Sequence, residues 1–136
     1  MKRVITLCIA MMATITTYAT QPYTAYCSLT GTQSISSANG YIGSVEVDYG
    51  QESLSKRYLV DEDGKRLNFN SMIGAMNYMA QFGWKFDSCY TTVVTEIFDG
   101  SKLSKLCVVW IITKEVTSDE EICEGFLTRH LFEERR

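Results

Sequence analysis

One proline and one histidine are all that this chain of 136 residues contains of either, and both scarcities exclude something. Pro22 stands near the start, and no proline-rich linker or spacer follows it. With His130 as the single imidazole, any Ser/His/Asp or Cys/His machinery would have to use it. No CxxC pair occurs, so a zinc site would have to be assembled from scattered cysteines. Long apolar runs are also missing. The first one, Val4 to Ala13, is soon interrupted by Thr14, Thr16 and Thr17, short of the ~20 residues a membrane helix needs. Nor is there a basic stripe, a repeat or a low-complexity tail.

What stands at the start is Met1-Lys2-Arg3, then the short apolar run, then small residues at Thr17 and Ala19. This is the layout of a cleaved secretory signal covering residues 1–19, and it predicts export to the periplasm or the exterior with no stable membrane span after cleavage. Cys8 does not fit a lipidation site, because Leu7 precedes it and the apolar run ahead is too short. Residues 20–136 keep eleven of the thirteen basic side chains and all sixteen acidic ones, a net charge of −5. That balance repels phosphate backbones and argues against nucleic acid as a partner. With 46% hydrophobic and 21% charged residues, residues 20–136 suit a single globular domain that buries its own core.

The organising stretch is Phe69 to Phe86. Asn70 or Ser71 can cap a helix and Gly83 can close one. Between them Met72, Met76, Met79 and Gly83 recur at steps of 4, 3 and 4, with Ile73 and Ala80 beside them, which predicts an amphipathic helix over about 71–82. Strands are expected at Thr24–Thr32 and at Tyr41–Tyr49, where Val45, Val47 and Tyr49 share one face, with the loop Ser36–Gly40 between them. A short hairpin turns at Asp61–Lys65. Trp84–Phe98 is rich in β-branched and aromatic residues and turns at Asp99-Gly100 into Leu103–Lys114. Leu106–Ile112 is apolar without alternation, so that strand should be central or covered on both faces. Ser118 with Glu121 has the form of a capping box, and Ile122, Phe126, Leu127 and Leu131 follow at 4, 1 and 4, predicting a second helix over about 119–132. The expected fold is α+β, a mainly antiparallel sheet of about five to six strands with the first helix on one face and the second at an edge or on the other.

Tyr26-Cys27 before Gly31-Thr32, Val45 to Gln51, Asp63-Gly64-Lys65, and Phe69 to Trp84 followed by the apolar strand and Lys114 form a pattern. In it the sequence resembles a family of short exported Bacteroidetes proteins over about residues 24–115. The resemblance implies an α+β domain and bacterial export. It implies no activity, since the family has none assigned and no catalytic motif to carry over. The chain departs from it at Gly74 and Ala75-Met76, which implies a helix slightly less stable, or one approached more closely by a neighbour.

No catalytic, cofactor-binding or metal-binding set emerges. Asp61-Glu62-Asp63-Gly64 begins like a calcium loop, but the twelfth position is Met72 rather than a glutamate. Asp119, Glu120, Glu121 and Glu124 suit the start of a helix without a ligand, and His130 suits its last turn. Met72, Met76, Tyr78, Met79, Phe82, Trp84 and Phe86 read as core, with an adaptable pocket for a small apolar ligand as their other use. The cysteines Cys27, Cys89, Cys107 and Cys123 are candidates for disulfides or functional thiols. A two-residue turn at Asp99-Gly100 puts Cys107 opposite Thr92 and Cys89 opposite Trp110, on different faces, which disfavours that bridge. Cys27 with Cys89 or Cys107, Cys107 with Cys123, or buried thiols remain. Three function classes follow: a non-catalytic binding or assembly module, open to a protein partner or to a homo-oligomer; a thiol-based small enzyme; and an inhibitor or subunit that docks by a sheet edge.

Overall fold

The computed structural model describes residues 21–34 and 41–136. The expected signal with Cys8 and the expected loop at 36–40 lie outside the described residues. The element order is β1 (Tyr23–Ser34), β2 (Val45–Asp48), β3 (Leu59–Val60), α1 (Met72–Ala80), β4 (Lys85–Phe98), β5 (Ser101–Val116), a 3₁₀ turn (Asp119–Glu121), β6 (Leu127–Thr128) and α2 (Arg129–Glu134). Four strands make one antiparallel sheet in the order β2-β1-β5-β4, and β3 and β6 make a second, two-stranded one. The fold is α+β as the pattern predicts.

Alternation decides which face of the main sheet is dry. Ala25, Cys27 and Leu29 of β1, Val45 and Val47 of β2, and Ile112 and Val116 of β5 are buried, and the registers Leu29↔Val47 and Cys27↔Ile112 set them side by side. Onto this inner face comes α1. Ser71 is its N-cap and accepts from the Gly74 amide at 3.3 Å, and Gly83 follows its end at φ +92°. Its buried residues are Met72, Ala75 and Met79, one row at spacings of three and four. Ile73, expected beside the stripe, points to solvent, and Met76 is partly buried against the core. Gly74 is not closely approached, since a Cβ there would sit an ordinary 3.8 Å from Phe69. Each buried side chain of this kind contributes about 1.5–3 kcal/mol.

The C-terminal segment departs from expectation. Helix does not begin at Ser118, whose side chain makes no cap. Glu121 instead accepts from the Thr117 amide at 3.0 Å and hydroxyl at 2.6 Å. Gly125 takes φ +97°, which ends any helical path, and Leu127–Thr128 runs extended beside Leu59–Val60. The second helix exists but is confined to Arg129–Glu134, with Thr128 as its cap accepting from Leu131 at 3.3 Å. The apolar spacing that suggested a longer helix is used for packing: Ile122, Cys123, Phe126 and Leu131 join the same core cluster as α1. The segment therefore packs onto the face that α1 covers, and the Leu106–Ile112 run is central in the sheet, with Ile112 buried on that face and Val109 on the other.

The end of the chain is tied down by charge. Glu133 accepts from Lys56 at 2.7 Å and from Arg129 at 2.8 Å, and those two bonds, Lys56 first, hold its carboxyl below the ordinary glutamate range. A carboxyl lowered in the folded state stabilises above its unfolded pKa, and the effect is lost as pH falls through the folded value. Glu133→Gln should therefore lower the melting temperature at neutral pH and leave it nearly unchanged at a pH below the lowered value. A loss of the same size at both would contradict this account.

Candidate docking edge

β4 and β5 form a hairpin joined by Asp99 (φ +48°) and Gly100 (φ +74°), a two-residue turn with both centres left-handed, which fits the twist of the strands it links. This fixes the register expected from sequence. Phe98 faces Ser101, Thr92 faces Cys107 and Cys89 faces Trp110, broken only by a bulge between Phe86 and Ser88. In such a hairpin the pair flanking the turn is hydrogen-bonded, and pairs alternate from there. Phe98, Glu96, Val94, Thr92 and Tyr90 thus spend their backbone groups on β5. Ile97, Thr95, Val93, Thr91 and Cys89 turn theirs to the open side.

Among the described residues that side is the edge of the sheet, and every residue of β4 is exposed. Edge strands in native proteins are usually shortened, charged, bulged or covered. The opposite edge follows this rule: β2 is four residues long, its Val47 amide is bonded to Arg57 at 2.9 Å, and Glu46 is paired with Arg57 at 2.9 Å. β4 does not follow it beyond its first residues. Lys85, Asp87 and the bulge guard one end, but Ser88–Thr95 carries no charge, glycine or proline. Its side chains alternate between two unfilled faces. Val93 is 61% and Ile97 72% exposed on the inner one, and Phe98 is 80% exposed on the outer one beside Tyr90 and Val94. Among the described residues the β1 ladder runs as far as Ser34–Lys105, and the β4–β5 pairing continues beyond it to Phe98–Ser101.

The residues singled out from sequence lie elsewhere. Met72, Met79 and Trp84 are core and Met76, Tyr78 and Phe82 flank it, while Phe86 is half-exposed with its ring edge-on to Trp110 at 5.0 Å. Asp61 uses one carboxylate oxygen on the amides of Asp63 and Lys65 at 3.0 and 2.8 Å, a self-contained turn, and no metal-holding group of three or more acidic, cysteine or histidine residues occurs among the described residues. His130 sits in the first turn of α2 with Nε2 3.3 Å from Glu134, beside a cavity of about 400 Å³ lined also by Tyr49, Gln51, Glu52 and Ser53. The Ser53 hydroxyl there bonds Ser55 at 2.8 Å rather than the imidazole. A second cavity, about 330 Å³, lies between Gly83, Lys85, Thr113, Lys114 and Glu115. Its Lys114 ammonium is already bonded to the Glu121 carbonyl at 3.0 Å.

Among the described residues all four cysteines are free thiols, Cys27 buried, Cys89 exposed, Cys107 and Cys123 half-buried. Cys89 and Cys107 do lie on opposite faces of the hairpin. Burial, with Asp48 nearby as a lesser cause, pushes the Cys27 thiol up, so it should resist a thiol probe. In the folded, unreduced protein Cys89 should alkylate first and Cys27 last, with all four labelled after denaturation. A pair that stays unlabelled until a reductant is added would overturn the free-thiol state.

No family model, no curated protein and no solved structure matches this chain.

Proposed function

We propose that this protein is a non-catalytic binding or assembly module, exported to the periplasm or the exterior, that docks by adding a strand to β4. The observation that carries the reading is the uncharged, fully exposed edge from Ser88 to Thr95. An edge of this kind is a template, because each outward residue offers one N–H donor and one C=O acceptor in register. Main-chain bonds would supply affinity there, and the alternating apolar side chains on both faces would supply preference for the incoming strand. The signal-like first 19 residues support export.

The test is a photo-crosslinking residue placed at Thr95, compared with one at Glu62 in the exposed Asp61–Lys65 turn, in cells that make and export the protein. Discrete adducts from position 95 well above those from position 62 are expected. Equal, diffuse labelling at the two positions would sink the docking edge.

A further inference from the structure

The edge that β4 presents is self-complementary, and we infer that the strand it accepts is β4 of a second copy of this chain, antiparallel about a two-fold axis at Val93. The inference rests on the docking reading above and deepens it by naming the occupant.

The first reason is register. Cys89, Thr91, Val93, Thr95 and Ile97, the residues turned to the open side, are centred on Val93. A two-fold there sets Val93 against Val93, Thr91 against Thr95 and Cys89 against Ile97. All five residues on each chain then find backbone partners, giving about ten bonds, the number of direct hydrogen bonds typical of a stable interface. Moving the axis to Thr92 or Val94 leaves outward groups of this set without a partner. On the other face Thr92 then meets Val94, Tyr90 meets Glu96 and Ser88 meets Phe98. The pairs near the axis are β-branched, and side chains of that kind gain from facing one another across antiparallel strands.

The second reason is charge. Two copies of an acidic chain repel wherever like charges meet, yet Ser88–Thr95 carries none. Glu96, the charge nearest the axis, is paired with Lys105 of its own hairpin at 3.1 Å and would face Tyr90 of the copy. From Ser88 to Phe98 no like charges stand opposite each other in this register; the first like pair, Asp87 with Asp99 of the copy's turn, falls at the two ends of the contact, beside the bulge. The third reason is closure. Among the described residues the far edge, with its short β2 whose Val47 amide already donates to the Arg57 carbonyl, offers no equivalent run to a further copy. An isologous contact at β4 therefore ends at a dimer with one continuous eight-stranded sheet rather than growing into a fibre.

Sedimentation equilibrium tests this on protein expressed from the full chain, at concentrations up to about 100 μM, enough to fill a site of micromolar Kd. The expected mass is twice that of one chain. Val93→Lys and Val93→Glu, each at an exposed position whose side chain is outside the core, place like charges face to face at the axis and should each sediment as a single chain. An equal mixture of the two should return to double mass, because Lys then faces Glu. Circular dichroism matching the parent shows that each variant is folded. A parent that stays at single mass throughout overturns the inference, as does an assembly larger than two or a double mass that persists in both variants. If position 95 meanwhile crosslinks to a protein of different mass, the docking edge stands and the second copy is the part that fails.

Discussion

Trp84→Ala should cost about 3–5 kcal/mol, read as a lowered urea midpoint by circular dichroism, a large share of the roughly 5–15 kcal/mol that holds a domain together. Trp84 is the first residue after α1 and its turn, is 1% exposed, and is the largest of the fully buried side chains. It joins a cluster that includes Met79 of α1, Ile112 and Val116 of β5, and Phe126 of the C-terminal segment. An indole removed from that place leaves a void which three different elements would have to close together. Two further features of Trp84 sharpen the expectation. Its ring lies under the Lys114 ammonium at 5.9 Å, a contact worth about 0.5–1 kcal/mol. Its indole N–H is buried with no hydrogen-bond partner among the described residues, which costs about 1–3 kcal/mol. Trp84→Phe keeps most of the ring and removes the stranded donor, so it should fall within about 1.5 kcal/mol of the parent. A Trp84→Ala loss below about 1 kcal/mol would mean that the cluster is not the core.

Gly125→Ala should cost about 2–4 kcal/mol, from left-handed strain and overpacking together. At φ +97° an alanine is strained, and its Cβ would lie 2.3 Å from Cδ1 of Phe82. The Phe82 ring is not free to swing away. It stands edge-on to Tyr78 at 5.2 Å, and Tyr78 in turn packs against Phe69 at 5.8 Å. Gly50 supplies the control, because it has φ +90° with nothing within 4 Å of where a Cβ would go. Gly50→Ala should therefore show the strain alone, about 1 kcal/mol. Equal losses at the two positions would remove the Phe82 contact from the account.

Gly125 also marks the limit of what the sequence makes legible. Ser118, Glu121 and the apolar residues from Ile122 to Leu131 satisfy the local rules for a helix, yet they fold as a 3₁₀ turn, a reversal and a strand beside Leu59–Val60. Capping and periodicity describe what a segment can do alone, and here bonds to distant residues decide. The Arg129 and His130 amides donate to the Tyr58 and Lys56 carbonyls, both at 3.0 Å, and among the described residues β6 is the strand that completes the sheet of β3. The hairpin is legible for the opposite reason. Asp99-Gly100 specifies a turn by its own backbone needs, and that turn fixes the register of both strands.

The docking edge is half legible in the same sense. Thr91, Thr92, Val93 and Val94 announce a strand, but nothing local says whether its neighbour is another strand or water. Apolar residues from Leu106 to Ile112 suggest cover on both faces. In the structure β1 and β4 flank that strand, while α1 and the C-terminal segment both go to the inner face. The outer face buries Val109 at its centre but keeps Tyr26, Tyr90, Val94 and Phe98 exposed. Exposure is a property of the topology, and it is what turns an ordinary β-branched run into a candidate site.

Hydrogen exchange along β4 tests the central claim most directly. In dilute protein the amides of Tyr90, Thr92, Val94 and Glu96 should be protected by β5, and those of Cys89, Thr91, Val93, Thr95 and Ile97 should exchange freely. When the protein is assembled, the second set should slow to join the first. Amides of Thr91, Val93 and Thr95 that exchange at the unprotected rate in every state would show that nothing docks on this edge.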